Sequence, residues 1–158
     1  MGTNDASDYA LRAARSSDHG FLRAAHHAGL RPWIERTWSW DERQQDEIHA
    51  ERMGRRGAHM QIVSVAGQDV GYLDVDLRET PWKLNSIVLV PAAQGRGIGS
   101  RVVRDILANA RAAGVPMTLQ VLVVNPARRL YERLGFRQTG ATETHIQMQW
   151  TPAETKPR

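Results

Sequence analysis

The stretch that most constrains this chain runs from Val90 to Ser100 and reads Val-Pro-Ala-Ala-Gln-Gly-Arg-Gly-Ile-Gly-Ser. Before it lies Leu84 to Val90, which reads as a strand near the centre of a sheet because it is apolar on both faces towards its end. After it Ile98, Val102, Ile106 and Ala110 step by four, with Val103, Leu107 and Ala113 widening the stripe, as on an amphipathic helix. Closely spaced glycines let a ligand approach the backbone and leave N–H groups exposed. The helix N-terminus adds partial positive charge, and Arg96 adds a full one. The block therefore reads as a phosphate-binding turn, or else as a tight strand–helix turn with no ligand. It lies past the midpoint of the chain, after three or four strands, whereas a dinucleotide fingerprint would follow the first strand. It also lacks the Lys-Ser/Thr ending of a nucleoside-triphosphate loop.

The surrounding pattern predicts one domain over residues 8–150, with polar tails at 1–7 and 151–158. Tyr9 to Ala14 alternates weakly as a first strand. Ser17 or Asp18 caps a helix carrying Phe21, Leu22, Ala25 and Ala28, and Gly29 ends it. Pro32 opens a second helical turn, with Ile34 and Trp38 on one face. A very polar helix follows from Asp41-Glu42 to about Met53, broken by Gly54 and Gly57. The period then changes to two. His59 to Val65 and Val70 to Leu77 form a hairpin about Ala66 to Asp69, with Tyr72, Asp74 and Asp76 on one face and Leu73, Val75 and Leu77 on the other. Met117 to Val124 is a further buried strand. Asn125 caps a helix with Pro126 at its first position and Ala127, Leu130, Tyr131 and Leu134 on one face, and Gly135 closes it. Phe136 to Thr139 and Glu143 to Trp150 are the last strands. The last, if at an edge, offers a surface for a homodimer.

Composition excludes several classes. The chain has no cysteine, hence no disulfide, thiol nucleophile or thiolate metal site. No apolar run reaches the length of a membrane span, and the polar, acidic first residues do not read as a signal peptide, so a cytoplasmic protein is expected. The net charge is +4, and only Lys83 and Lys156 of the 21 basic residues are lysine. The arginines are spread along the chain rather than gathered in an arm, so nucleic acid is not the expected partner. The pair His26-His27 is not read as a metal site, because adjacent helical side chains diverge and no partner lies at useful spacing.

Two blocks together carry a family resemblance. Gln94-Gly95-Arg96-Gly97-Ile98-Gly99 completes the pattern Gln/Arg-x-x-Gly-x-Gly/Ala, and Asn125-Pro126-Ala127-Arg128-Arg129-Leu130-Tyr131-Glu132-Arg133-Leu134-Gly135-Phe136 follows at the expected distance. In these the chain resembles the GCN5-related N-acetyltransferases, the GNAT superfamily. The likeness is strong from about Leu84 to Phe136 and looser from Tyr9 to Leu77. It implies an α/β (α+β) fold: a mixed sheet of six to seven strands, splayed in the middle between Leu84–Val90 and Met117–Val124, with about four helices. It also implies acetyl-CoA as cosubstrate, no metal, and direct transfer to a primary amine, with a small-molecule acceptor preferred here. The alternative is an acyl-CoA-binding sensor or scaffold of the same fold.

The resemblance places the coenzyme A pyrophosphate on Gln94, Gly95, Arg96, Gly97, Ile98, Gly99 and Ser100, and the pantetheine arm on Leu89 and Val90. Asn125 contacts the cofactor. Arg128 and Arg129 either reach its phosphates or solvate their helix. Tyr131 is the expected proton donor to the departing thiolate, since its apolar neighbours anchor the helix and a phenol of ordinary pKa about 10 suits a thiolate of roughly 8 to 9. The alternative for Tyr131 is a space-filling core role.

The general base is harder to place. Many family members use a Glu on or near the strand before the glycine turn, whereas Leu84 to Gln94 contains no acid. Asp74, Asp76 and Glu79 are the nearest candidates. Asp74 and Asp76 share a face with Tyr72 that is either the acceptor side or a solvated face. His59, His145 and water are further options. Three of the five tryptophans, Trp33, Trp38 and Trp40, fall within eight positions beside Asp41 and Glu42, which suits an amine pocket or simple packing anchors. A negative pocket would favour polyamines; Arg31 and Arg36 would instead recruit a carboxylate.

Overall fold

The alternating and helical periods of the sequence resolve into two helical layers around one sheet. The structure, a computed structural model, describes residues 8–56 and 59–152. The described residues form seven strands and four α-helices: β1 (Tyr9–Ala13), α1 (His19–Thr37), α2 (Glu42–Arg56), β2 (Met60–Val65), β3 (Gln68–Asp76), β4 (Trp82–Leu89), α3 (Ile98–Ala113), β5 (Met117–Leu122), α4 (Ala127–Arg133), β6 (Arg137–Ala141) and β7 (His145–Trp150). Strand order is β1-β2-β3-β4-β5-β7-β6. Only β4 and β5 run parallel, joined by the crossover helix α3 that a parallel pair requires. The expected tails fall outside the described residues, except Thr151 and Pro152, and so does Gly57.

Each sheet face buries its own set. Met60, Ile62, Tyr72 and Val88 pack under Leu22 and Ala25 of α1. Val63, Val65, Leu73, Leu84 and Leu119 point the other way, against Ile98, Val102, Val103 and Leu107 of α3 and Tyr131 of α4. A fully buried aliphatic side chain contributes roughly 1.5–3 kcal/mol, so the α3 stripe is a large share of the core. The hairpin turn is tight: Ala66 and Gly67 both have positive φ, 54° and 81°, the backbone of a two-residue primed turn between β2 and β3.

Several boundaries differ from the sequence expectation, for identifiable reasons. Gly29 does not end the first helix, and Pro32 does not start a second; α1 runs unbroken through both. Gly29 is instead a contact residue. A Cβ there would meet Val88 Cγ1 at 2.6 Å and the Leu89 carbonyl oxygen at 3.0 Å, so the missing side chain lets α1 lie directly on β4. Gly54 lies inside α2 rather than breaking it. Asp18 makes no side-chain cap on α1. Its carboxylate accepts from Arg12 at 2.9 and 3.0 Å and from the Arg15 N–H at 2.8 Å. These bonds hold its pKa down at about 2. Finally, β7 is not an edge strand: it pairs with β5 on one side and β6 on the other, so it has no free edge for a partner copy.

Candidate functional site

The site begins where two parallel strands stop pairing. β4 and β5 are matched only at Trp82–Met117, Lys83–Thr118 and Leu84–Leu119. Immediately beyond, β4 bulges against β3: Asp74 faces Ser86 and Val75 faces Leu84, leaving Asn85 unmatched. A bulge adds local twist and bends the strand away from its neighbour. The bulge and the end of pairing coincide, and the strands part. A cleft of about 660 Å³ opens there, lined from both sheet faces by residues that include Asp74, Ser86, Gln120, Asn125 and Tyr131.

On the α1–α2 face, Asp74 is fully buried, as are Tyr72 and the floor around it. Of the two alternatives for this face, the solvated one does not hold at Asp74, which α1 and α2 cover. Among the described residues that line the cleft, Asp74 is the single carboxylate. Asp74 and Ser86 are directly paired across β3 and β4, so their side chains share this face. Arg52 of α2 donates from Nη1 to Ser86 Oγ at 3.1 Å. Tyr72 is pushed up to about 12 by burial, with Arg52 pulling the other way. Its hydroxyl lies 3.3 Å from His26 Nδ1, and His26 Nε2 lies 3.3 Å from Gln45 Oε1. Burial drives His26 down to about 4, so the ring is neutral at pH 7. Tyr72, placed in the acceptor site by the sequence, is thus in the wall beneath the cleft and not among its lining residues.

From the opposite face comes Tyr131. It is held by the apolar stripe of α4, with Ala127, Leu130 and Leu134 packed against the core and Phe136 edge-on at 5.7 Å. Burial alone pushes its phenol up to about 12, so it stays protonated at any ordinary pH. Asn125 lines the cleft beside it, its Oδ1 accepting from the Ala127 N–H at 2.9 Å.

The glycine turn follows the end of β4. Gly95 and Gly97 take φ values of +75° and +82°, which strain any residue with a side chain. The turn delivers Ile98, Gly99 and Ser100 into the first turn of α3, whose N–H groups have no carbonyl partner within the helix. Nothing lies within 4 Å of where a Gly95 Cβ would be, and Arg96 is exposed beside it. These donors and this open space fit a diphosphate. Gln94 ties the turn back to the strand, donating from Nε2 to the Leu89 carbonyl at 2.9 Å. The Val90 N–H is committed to the Val70 carbonyl at 2.9 Å, on the β3 side. Arg128 pairs with Glu132 at 3.6 Å, Arg129 is exposed, and neither lines the cleft.

The tryptophan-rich segment divides. Trp38 lines the cleft, just past the end of α1, with its ring 6.0 Å from that of His145, which also lines it. Trp33 and Trp40 do not. Arg36 lies over Trp33 at 5.9 Å and Arg31 over Trp40 at 4.9 Å. Asp41 caps α2, accepting from the Gln44 N–H at 3.1 Å. Glu42 is held by Trp40 Nε1 at 3.0 Å and by Arg23 at 3.1 Å. Asp76 is taken by Arg78 in a two-pronged contact at 3.0 and 2.9 Å. Glu79 and His59 are exposed, and neither lines the cleft. None of Trp33, Trp40, Asp41, Glu42 or Asp76 lines it either.

Sequence reasoning missed Arg52, Arg55, Lys83, Ser86 and Gln120, all of which line the cleft. Asn85-Ser86 was a readable signal, since two polar residues interrupt an otherwise apolar strand. Arg52 and Arg55 were hidden in a helix charged along its length. The reading of His27 as partnerless also fails. His27 lies 3.2 Å from Glu42 and 3.3 Å from Asp46, partners on α2 that spacing along α1 does not reveal. These three are the set among the described residues whose ligand atoms gather within 4.8 Å. Arg23 already binds both carboxylates, at 2.7 Å to Asp46 and 3.1 Å to Glu42.

A sequence model of the acetyltransferase (GNAT) domain matches residues 56–138, just over half of the chain. The N-alpha-acetyltransferase RimI of Mycobacterium tuberculosis is 35% identical over 97 residues, 58% of this chain and 60% of that protein. The matched segment thus spans less than two thirds of that relative. Among solved structures, the PaiA N-acetyltransferase of Thermoplasma acidophilum in complex with coenzyme A superposes with a TM-score of 0.73 at 12% identity, covering 91% of this chain and 99% of that one. The ribosomal-protein-S18-alanine N-acetyltransferase of Escherichia coli gives 0.67 at 17%, covering 94% and 96%. What these structures share with this chain is the fold. No helix among the described residues is long and apolar enough to cross a membrane.

Proposed function

Because the chain belongs to the acetyltransferase (GNAT) domain family, we propose that it transfers the acetyl group of acetyl-CoA directly to a primary amine. The observation that carries this reading is that Asp74 and Tyr131 reach one cleft from opposite faces of the sheet, at the break between β4 and β5. Gln94 to Ser100 would hold the diphosphate, and Leu89 would offer backbone to the pantetheine arm once Gln94 releases its carbonyl. Acetyl-CoA supplies the activated thioester. Asp74 accepts the proton that the amine loses as its nitrogen bonds to the acetyl carbon. Tyr131 donates a proton to the sulfur as the carbon–sulfur bond breaks. A phenol raised to about 12 is a weak acid, but the same buried site also destabilises a thiolate, which brings the two closer. The acceptor is an amine of a small molecule in this reading. RimI and the S18-alanine enzyme, by their names, act on α-amines, and an α-amine of a peptide is the other fit.

A competing reading, binding of acyl-CoA without turnover, draws on the missing acid between Leu84 and Gln94. Asp74, one strand away, supplies that acid and favours catalysis. Thiol release from acetyl-CoA over a panel of amines separates the two. Tyr131→Phe should lower kcat by roughly 100-fold or more while acetyl-CoA affinity stays within about threefold. An unchanged kcat in that variant removes Tyr131 from the chemistry, and no turnover with intact acetyl-CoA binding favours the silent reading.

A further inference from the structure

We propose that the amine accepted here carries a carboxylate close to its nitrogen, and that Arg52, Arg55 and Lys83 receive it. The inference rests on the cleft being the acceptor site. Three cationic side chains line the cleft, Arg52 and Arg55 one turn apart on α2 and Lys83 on β4, against the single carboxylate of Asp74. The two histidines that line it, His26 and His145, are both shifted towards the neutral form by burial, so the positive charge of the cleft is chiefly that of these three side chains. Arg52 rests on neutral oxygens, Ser86 Oγ at 3.1 Å and the Tyr72 phenol. A guanidinium so placed, facing a partly desolvated cleft, is a ready partner for a planar carboxylate.

This charge is not explained by the coenzyme. Lys83 stands at the start of β4 and the glycine turn follows its end, so six residue steps of strand separate Lys83 from Leu89, about 20 Å. Arg52 and Arg55 come from the α1–α2 layer, whereas the turn has Arg96 and the α3 N-terminus of its own. Ser86, which Arg52 touches, is paired with Asp74, so the anion anchor and the carboxylate lie on neighbouring strand positions. An amine held at Asp74 with a carboxylate at Arg52 matches the short spacing of an α-amino acid or of an acidic residue at a peptide N-terminus. Arg31 and Arg36, the sequence-level candidates for this role, stand over Trp40 and Trp33 away from the cleft. A polyamine would bring like charge to this wall.

The test is equilibrium binding to the protein saturated with coenzyme A. The probes are L-phenylalanine against L-phenylalaninamide, Glu-Ala-amide against Gln-Ala-amide, and spermidine. The carboxylate-bearing member of at least one pair should bind tenfold or more tighter than its neutral partner, and the pair that discriminates tells a free amino acid from a peptide terminus. Arg52→Gln, with Arg55→Gln as the milder second variant, should erase that ratio while coenzyme A affinity is kept. Equal binding within both pairs, tighter binding of spermidine, or binding of none of the probes overturns the proposal. Failure of coenzyme A to bind overturns the acetyltransferase reading instead, and the pair ratio is then read on the protein alone.

Discussion

Leu84 and Leu119 form the last matched rung between β4 and β5, and the next residue of β4, Asn85, is left out of its pairing with β3. The cleft exists because these two events fall at one place. Deleting Asn85 should restore continuous pairing with β3 and narrow the gap. The expected result is loss of acetyl-CoA binding with the helical and strand content of the circular dichroism spectrum retained. Undiminished binding in the deletion would separate the bulge from the cleft.

Gly29 is predicted to be intolerant of even one methyl group. Gly29→Ala puts a Cβ 2.6 Å from Val88 Cγ1 and 3.0 Å from a β4 carbonyl, and overpacking of this kind costs roughly 1–3 kcal/mol. Urea unfolding should show a lower midpoint by that amount. Gly20, with nothing within 4 Å of its Cβ position, is the control, and a Gly20→Ala midpoint as low as that of Gly29→Ala would contradict the packing argument.

Gly97 is predicted to matter for a different reason, its backbone. At φ +82° an alanine costs about 1–2 kcal/mol and tilts the N–H groups that open α3. Gly97→Ala should weaken acetyl-CoA binding by tenfold or more in a calorimetric titration while the protein remains folded at 25 °C. Unchanged affinity would place the diphosphate elsewhere.

Stability should depend on pH through His26. Its folded pKa is about 4, against an ordinary value of about 6.5 in the unfolded chain. Between those values the unfolded chain binds more protons, so stability is complete above about pH 6.5 and falls as pH drops towards 4. The loss from this group amounts to about 3 kcal/mol. His49, also shifted down by burial, acts in the same direction. Denaturant midpoints from pH 7 to 4 should fall in the wild type and fall less in His26→Gln; identical slopes would refute the assignment.

The C-terminal half of the site was legible because its chemistry is local in sequence. The turn Gln94–Ser100 and the helix carrying Tyr131 declare themselves by glycine spacing and by an apolar stripe, which need no tertiary context. The acceptor side was not. Asp74 looks like any alternating polar residue until α1 and α2 are seen to cover its face, and Asp76, two residues on, is spent on Arg78. Trp33, Trp40, Asp41 and Glu42 have the composition of a pocket but serve α1 and α2 themselves. Gly29 and Pro32 read as helix ends because punctuation rules know nothing of the strand pressed against the helix. Arg52 and Lys83 reach the site through packing that no local pattern encodes.

In the proposed function, the parted strands and the glycine turn together bind acetyl-CoA. Calorimetric titration of the purified protein with acetyl-CoA, beside coenzyme A and ATP, tests it most directly. The expected result is one site per chain of micromolar affinity for acetyl-CoA and coenzyme A, with ATP weaker by tenfold or more. Absence of binding at roughly 100 µM, an affinity of only about −5.5 kcal/mol, or equal binding of ATP, would contradict it.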